Sequence, residues 1–269
     1  MPNRKTDFTV ESAPSSSSAD APAAQRFPAR LSFFDHLDEM RSRIIKGFLV
    51  YALSVIAVFQ CNNFLLAIVM KPVGRVVFTS PEEAFTAQVN LALLAGFIIT
   101  LPFTLYQIWQ FVSLGLTRDE KKYIGIFGPC SLICFVAGVL FAYFVMIPMS
   151  LQFLLKFSSN FFVPMITVDK YISFFSSWIL ASGIVFELPL VLAFLAMIGI
   201  ATPEFLRQKR RYAILAILFV SAIITPPDVM SQLLMSAPLI LLYEIGILVT
   251  KFTYRPNLPA GRQAFLENP

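Results

Sequence analysis

Six long runs of apolar residues, separated by short polar segments, make up most of the chain. A helix needs about 20 apolar residues to cross the hydrocarbon core of a membrane, and all of the runs except the fifth reach that length. The pattern therefore predicts an all-α integral membrane protein. The approximate bounds of the runs are 44–70, 82–112, 123–148, 171–200, 212–225 and 229–250.

The fifth run needs a separate argument, because an apolar run of about 14 residues is commonly a buried or re-entrant segment. The break at residues 225–228, Thr-Pro-Pro-Asp, leads directly into the sixth run. Two helices joined by such a tight turn form a hairpin. We therefore expect the fifth run to cross, with the membrane thinned locally or with flanking side chains reaching the interface. The prediction is six transmembrane helices.

The Lys and Arg residues are distributed unevenly between the two sides that six spans create. The side that holds both termini carries all but four of the 21 basic residues, and the exceptions are Lys71, Arg75, Lys156 and Lys170. Basic loops are retained in the cytoplasm, so both termini are predicted to be cytoplasmic. A five-span topology would move the basic C-terminal segment to the opposite side, which favours a crossing by the fifth run.

Composition divides the chain into three segments. Residues 1–30 are rich in Ser, Ala and Pro and contain no apolar h-region, so they are predicted to be a disordered tail rather than a signal peptide. Residues 31–252 form the predicted six-helix membrane domain, and residues 253–269 a cytoplasmic C-terminal tail. Prolines within or at the ends of the spans predict bent helices that form a concave, glove-like wall; they are Pro102, Pro129, Pro148, Pro189 and Pro238.

Composition also excludes several classes of function. Hydrophobic residues make up 57% of the chain, charged residues 14%, and the mean hydropathy is +0.72, so a soluble domain is excluded. The net charge of +5 comes from short loops, and no basic stripe interleaved with aromatic residues indicates a nucleic-acid partner. No catalytic motif is present, and we expect no enzymatic activity. The three cysteines and one histidine form no ligand set, so we expect no metal and no cofactor.

One acidic residue, Glu187, lies in the middle of the fourth apolar run. Placing an ionised carboxylate at that depth in the membrane is unfavourable in free energy. The side chain must therefore face protein or a water-filled cavity, or be protonated. One hypothesis is a polar patch on a concave face, and the alternative is a buried acid satisfied by a neighbouring helix. A proton-coupled small-solute transporter that uses Glu187 is a further alternative, which the absence of an internal repeat does not favour.

Short motifs follow one another in a fixed order between residues 33 and 252. They are His-Leu-Asp-Glu-Met-Arg-Ser-Arg (36–43), Tyr-Gln-Ile-Trp-Gln-Phe (106–111), Gly-Leu-Thr (115–117), Glu-Lys-Lys (120–122), Phe-Ala-Tyr-Phe (141–144), Phe-Glu-Leu-Pro (186–189), Thr-Pro-Pro-Asp-Val (225–229) and Tyr-Glu-Ile-Gly (243–246). In type and order these motifs resemble the TatC family, the multispanning signal-peptide receptor subunit of the twin-arginine (Sec-independent) protein translocase.

The resemblance implies a function in protein transport. TatC proteins bind twin-arginine signal peptides on the cytoplasmic face of the inner (plasma) membrane and assemble with single-span TatA- and TatB-type subunits. Folded cargo is then exported at the expense of the proton-motive force. The resemblance also implies a homo-oligomer within the receptor complex, surrounded by membrane lipid.

The resemblance assigns a signal-peptide site to four residues. Glu39 and Glu120 match the family's acidic residues, Phe111 matches the neighbouring aromatic residue, and Arg41 belongs to the same N-terminal motif. Two consecutive guanidinium groups require carboxylates that can accept paired hydrogen bonds, so the assignment is chemically sensible. Without the resemblance, residues 119–122 would be interpreted as an ordinary solvated loop.

Four further residues receive roles from the resemblance. Glu187 matches the polar residue on the concave membrane face of the family. Asp228 and Gln232 match the outer region near the partner-contact edge, which the fifth and sixth helices form. Pro72 matches a functional proline of an outer loop.

Overall fold

The computed structural model describes residues 33–74, 76–116, 118–156, 165–225 and 228–254, with the backbone alone for residues 33–37 and 118–120. The predicted N-terminal tail and most of the C-terminal tail lie outside these residues and stay predictions. From Glu39 onwards the chain forms one compact unit. Its helices are α1 (Phe33–Phe59), α2 (Asn62–Val69), α3 (Pro81–Leu114), α4 (Arg118–Phe141), α5 (Ile147–Leu155), α6 (Val168–Phe186), α7 (Leu188–Met197), α8 (Pro203–Gln208), α9 (Arg210–Ile224) and α10 (Val229–Thr253).

Five helical segments are long and apolar enough to cross a membrane, and they match all of the predicted runs except the fifth. They are Asp38–Phe59, Pro81–Leu114, Lys121–Leu155, Val168–Met197 and Val229–Thr253. The all-α membrane class is therefore confirmed. The fifth run corresponds to α9, which has 15 residues. Its crossing, and with it the count of six, stays a prediction.

The first apolar run is divided between two helices, which the hydropathy pattern did not indicate. α1 ends at Phe59, and a turn closed by the amides of Gln60 and Cys61 precedes α2. At the start of α2, Asn62 Nδ2 donates a hydrogen bond to the Gln88 carbonyl of α3 at 3.2 Å. Residues 60–63 thus end the span, because the side-chain amides of Gln60, Asn62 and Asn63 need hydrogen-bond partners that lipid cannot supply.

Two of the prolines coincide with interruptions of a helix. Pro148 follows the π-helical turn Ala142–Met146 and lies in the first turn of α5. Pro189 lies in the first turn of α7, directly after the break at Glu187. A first-turn position suits proline because its missing N–H is not needed there. The other three prolines lie inside continuous helices.

The core is centred on α6, which packs against α3 and α4, and on α10, which packs against α7. Trp178 and Tyr171 of α6 are almost completely buried. Small residues let α4 and α6 approach closely: Ser182 Oγ donates to the Gly138 carbonyl at 2.9 Å. Membrane helices associate largely through such close backbone packing, since lipid provides little hydrophobic driving force between them.

Candidate functional site

A polar cluster joins the start of α1 to the last turns of α3. Arg43 lies at its centre: Nη2 contacts Glu39 Oε1 at 2.5 Å, and Nη1 donates to Gln107 Oε1 at 2.8 Å and to Gln110 Oε1 at 2.9 Å. The Arg43 side chain is only 12% exposed, whereas that of Glu39 is 44% exposed. The Arg43 guanidinium therefore holds the Glu39 carboxylate in place, and that carboxylate still faces the surroundings.

Phe111, the predicted aromatic neighbour, lies next to this cluster. It is half-buried at the end of α3 and lines the same cavity as Arg43 and Gln107. Arg41 is exposed on α1. Phe111 thus lines a cavity together with Arg43, the residue that pairs with Glu39, and its part in a signal-peptide site stays a prediction. The cluster combines an accessible carboxylate with an aromatic side chain, which suits a cationic peptide.

Glu120 lies in the first turn of α4, two residues after that helix begins at Arg118. An acid at this position interacts favourably with the helix dipole. Its side chain lies outside the described part of the structure. The role of Glu120 in the site remains a prediction.

Glu187 lies at the break between α6 and α7, with its side chain turned towards α4. Its Oε2 accepts a hydrogen bond from Ser131 Oγ at 2.9 Å. Its Oε1 is buried and has no hydrogen-bond partner among the described residues. Glu187 is therefore a half-satisfied polar group within a span, a combination that agrees with both hypotheses made from the sequence. Ser131 could not be identified as its partner from sequence, because the pairing depends on how α4 and α6 are rotated against each other.

Asp228 has a structural role that was not predicted from the sequence. It is the N-cap of α10, and its Oδ1 accepts a hydrogen bond from the Ser231 amide at 2.7 Å. An Asp directly before an apolar run is a recognised N-cap signal, so this role could have been read from the sequence. Its other oxygen, Oδ2, is buried without a partner among the described residues.

Gln232 connects α10 to α9. Its Nε2 donates to the Leu218 carbonyl of α9 at 3.0 Å. At the other end of the same pair of helices, Arg210 Nη2 contacts Glu244 Oε2 at 2.6 Å. These two links hold the short α9 against α10. Beyond them α9 leaves a largely apolar surface exposed, formed by Leu215, Phe219, Val220 and Ile223.

Pro72 lies in the turn that follows α2 and is half-buried. The end of α2 is anchored by two tyrosines, since Tyr143 Oη donates to the Ile68 carbonyl at 3.0 Å and Tyr171 Oη to the Val69 carbonyl at 2.7 Å. Pro72 thus belongs to a turn next to this anchored helix end rather than to the cluster around Glu39. Among the described residues, no group of three or more His, Cys, Asp or Glu side chains could hold a metal ion.

Comparison with known proteins places these observations in a family. Residues 35–238 match the family model described as "Sec-independent protein translocase protein (TatC)". The TatC protein of Carboxydothermus hydrogenoformans is 40% identical over 82% of this chain and 93% of its own length. The TatCy protein of Bacillus subtilis is 33% identical over 84% of this chain and 91% of its own.

Solved structures give the same result. A crystal structure described as "Twin Arginine Translocase Receptor- TatC" is 37% identical, with a TM-score of 0.72 over 82% of this chain and 100% of that one. A second crystal structure, of the same receptor in DDM, has a TM-score of 0.74 and 36% identity over 80% of this chain and 99% of that one. The similarity therefore covers the membrane helices and not merely a motif.

Proposed function

This chain belongs to the TatC family of Sec-independent protein translocase proteins, and we propose that it is the receptor subunit of a twin-arginine translocase. It binds twin-arginine signal peptides on the cytoplasmic face of the plasma membrane. The observation that carries the proposal is the cluster in which Arg43 holds the accessible Glu39 carboxylate and lines the same cavity as Phe111. The part of the chain that the structure describes gives no support to the alternative of a proton-coupled solute transporter.

The proposed mechanism begins with a carboxylate that is already in place. Glu39 uses Oε1 to bind Arg43, and a carboxylate has about four lone-pair positions. An incoming guanidinium can therefore bind Oε2 without displacing Arg43. Gln107 and Gln110 hold Arg43, and Arg43 in turn holds Glu39. The side chains of Arg43 and Glu39 therefore lose little conformational entropy when the peptide binds. Glu120, at the start of α4, supplies the second carboxylate for the second arginine, and Arg41 lines the same surface.

We place the partner subunits at α9 and α10. Single-span TatA- and TatB-type subunits dock against the exposed apolar surface of α9, near the outer end that Asp228 and Gln232 stabilise and on the side of the outer turn that contains Pro72. The support is the exposed apolar surface itself, because an apolar membrane helix with polar positions at one end suits a second helix. The assembled complex contains further copies of this chain and uses the proton-motive force to export folded proteins.

Crosslinking of a precursor to the purified protein tests the receptor function. A photoreactive group next to the twin arginines is expected to label residues near 39–46 and 107–122. A twin-lysine precursor is the matched control and is expected to label roughly tenfold less, because lysine cannot form the paired hydrogen bonds of a guanidinium. Equal labelling by the two precursors would contradict the proposal.

The Glu187→Ala variant separates recognition from transport in the same assay. Glu187 lies within a span and bonds Ser131, away from the Arg43 cluster in the sequence and on different helices. We propose that it belongs to the concave membrane face and acts after recognition. Precursor labelling should therefore be retained while export of a reporter falls, and normal export in this variant would remove the proposed role of Glu187.

We further propose six spans with both termini in the cytoplasm, which the distribution of basic residues supports. Cys61 is exposed just after α1, so a membrane-impermeant maleimide should label it in intact cells, and Cys61→Ser should remove the signal. In that background, Tyr254→Cys should be labelled only after the cells are permeabilised. Labelling of Tyr254→Cys in intact cells would show that α9 does not cross.

A further inference from the structure

A groove, here called the α3–α4 groove, lies between the C-terminal third of α3 and the N-terminal half of α4. It is lined by side chains from residues 102–113 of α3 and 124–132 of α4, and its volume is about 490 Å³. Trp109 is the buried member of the lining, and its ring stacks on Phe127 of α4 with 5.3 Å between the centroids. Tyr106 of the same lining is 60% exposed. The groove therefore has a packed base and opens to the surroundings.

The α3–α4 groove is apolar along most of its length and polar at one end. Its larger apolar and aromatic side chains are Leu105, Tyr106, Trp109, Ile124 and Leu132. Its polar side chains, Gln110 and Ser113, belong to the last turns of α3. In the orientation proposed above, this end lies at the cytoplasmic interface. A ligand that fits the groove therefore has a polar end at that interface and an apolar body within the membrane.

Two glycines of α4, Gly125 and Gly128, contribute to the wall of the α3–α4 groove. A Cβ added at either position would meet nothing within 4 Å. At Gly96, Gly138 and Gly246, by contrast, an added Cβ would lie 2.6–2.7 Å from an atom of a neighbouring helix. Those three glycines let two helices of this chain approach closely. Gly125 and Gly128 offer the same kind of surface, and no described helix of the chain covers it.

The polar end of the groove adjoins both acids of the proposed signal-peptide site. Gln110 lines the groove, and its Oε1 accepts a hydrogen bond from Arg43 Nη1 at 2.9 Å. Arg43 in turn holds the Glu39 carboxylate. On α4, Glu120 precedes Ile124 by four residues, so both positions lie on one face of that helix. A peptide whose cations bind at the two acids therefore continues directly into the groove.

The cavity between α1 and α3 also adjoins the cluster, because Arg43 lines it. At its cytoplasmic end, however, the Arg43 side chain crosses from α1 to α3 and donates to Gln107 and Gln110. A peptide that entered there from the cytoplasm would have to break these hydrogen bonds. Insertion into the α3–α4 groove leaves them intact, so that groove is the favoured path.

The length and polarity of a signal peptide agree with the α3–α4 groove. In a signal peptide a basic segment precedes about 7–15 apolar residues, which as a helix extend about 10–22 Å. Residues 102–113 of α3, which supply one wall of the groove, extend about 17 Å at 1.5 Å per residue. The basic segment comes first in the peptide, as the acids do at the polar end of the groove.

We infer that the apolar segment of the signal peptide, which follows its twin arginines, binds as a helix in the α3–α4 groove and packs on Gly125 and Gly128. This inference rests on the proposed receptor function and adds the path that the peptide takes into the membrane. Lipid tails are as apolar as the groove, so the binding depends on close packing between helices more than on the hydrophobic effect.

Photolabelling of the purified full chain in phosphatidylcholine vesicles, with two synthetic twin-arginine signal peptides, tests the inference. One peptide carries a photoreactive residue beside the arginines, and the other carries it in the middle of the apolar segment. Mass spectrometry maps the labelled residues. The second peptide is expected to label residues 102–106 of α3 and 124–132 of α4. Labels from it on residues 47–55 of α1, or on lipid alone, would overturn the inference.

The first peptide keeps the two proposals separate. It reports the receptor function, for which labels are expected near residues 39–46 and 107–122. If it labels these residues while the second peptide labels elsewhere, only the assignment of the groove fails. If it labels neither range, the receptor function fails, and the inference about the groove fails with it.

Gly128→Leu is the variant that fills the α3–α4 groove. Because a Cβ at Gly128 meets nothing within 4 Å, the larger side chain extends into the groove and not into another helix, and leucine favours a helix more than glycine does. Labelling by the second peptide should fall about tenfold, a factor that corresponds to about 1.4 kcal/mol of lost packing. Labelling by the first peptide should persist, since the two acids are unchanged.

Gly47→Leu is the matched control. Gly47 lines the cavity between α1 and α3, and a Cβ there also meets nothing within 4 Å, so the same substitution fills the other cavity beside the cluster. Labelling by both peptides should be the same as in the unmodified protein. The inference is wrong if Gly128→Leu leaves labelling by the second peptide unchanged, or if Gly47→Leu reduces it as much as Gly128→Leu does.

Discussion

Replacing Glu120 with alanine is expected to weaken binding of a twin-arginine signal peptide by about tenfold to a hundredfold. The variant removes a carboxylate that, in the proposed site, accepts charge-assisted hydrogen bonds from a guanidinium. Such bonds are worth roughly 1.5–3 kcal/mol each, and about 1.4 kcal/mol corresponds to a factor of ten in affinity. Titration of a labelled signal peptide against the purified protein measures the change.

Glu204→Ala is the matched control for this prediction. Glu204 is an exposed acid in the first turn of α8, as Glu120 is an acid in the first turn of α4. Both variants remove one acid from a helix N-terminus, and each costs less than about 1 kcal/mol of helix stability. Glu204→Ala should leave the affinity for the peptide unchanged. An unchanged affinity in Glu120→Ala as well would refute the assignment of Glu120 to the site.

Replacing Gly138 with alanine is expected to destabilise the packing of α4 against α6 by about 1–3 kcal/mol, the usual range for overpacking. A Cβ at this position would lie 2.6 Å from the Ser182 carbonyl oxygen and 3.0 Å from Gly183 Cα. Both neighbours belong to the backbone of α6, so no side-chain rotation relieves the clash. The added carbon also disturbs the bond from Ser182 Oγ to the Gly138 carbonyl.

The fraction of monodisperse protein that survives heating in detergent measures this effect. Gly128→Ala is the matched control, since Gly128 lies in the same helix and a Cβ there meets nothing within 4 Å. In that variant the higher helix propensity of alanine acts alone, so stability should be unchanged or higher by up to about 1 kcal/mol. If Gly138→Ala is as stable as Gly128→Ala, the close approach of α4 and α6 is not important for stability.

The membrane class and most of the helix bounds follow from local features of the sequence. The length of each apolar run predicts a span because every backbone polar group must be satisfied within the helix when lipid surrounds it. Prolines add information at two positions, Pro148 and Pro189, where helix interruptions occur. The break after Phe59 was missed because the hydropathy pattern averages residues 60–63 with their apolar neighbours.

Only part of the candidate site could be predicted from the sequence. The resemblance to a family selected Glu39, Phe111 and Glu120, and the spacing of Glu39 and Arg43 allows an i, i+4 ion pair on one helix. The attachment of Arg43 to Gln107 and Gln110 joins residues more than 60 positions apart. No local signal contains that pairing, because it depends on the distance and rotation between α1 and α3.

The sequence by itself determined an all-helical membrane protein, the positions of its long spans and, through ordered motifs, its family. These properties depend on residues that are neighbours along the chain, so they can be predicted from the sequence alone. The tertiary structure decided that Ser131 bonds Glu187, that Gly138 lies against the α6 backbone, and that Arg43 of α1 bonds two glutamines of α3. Each of these depends on the register between helices, which is set by the fit of all their side chains together and not by the apolar pattern of any one helix.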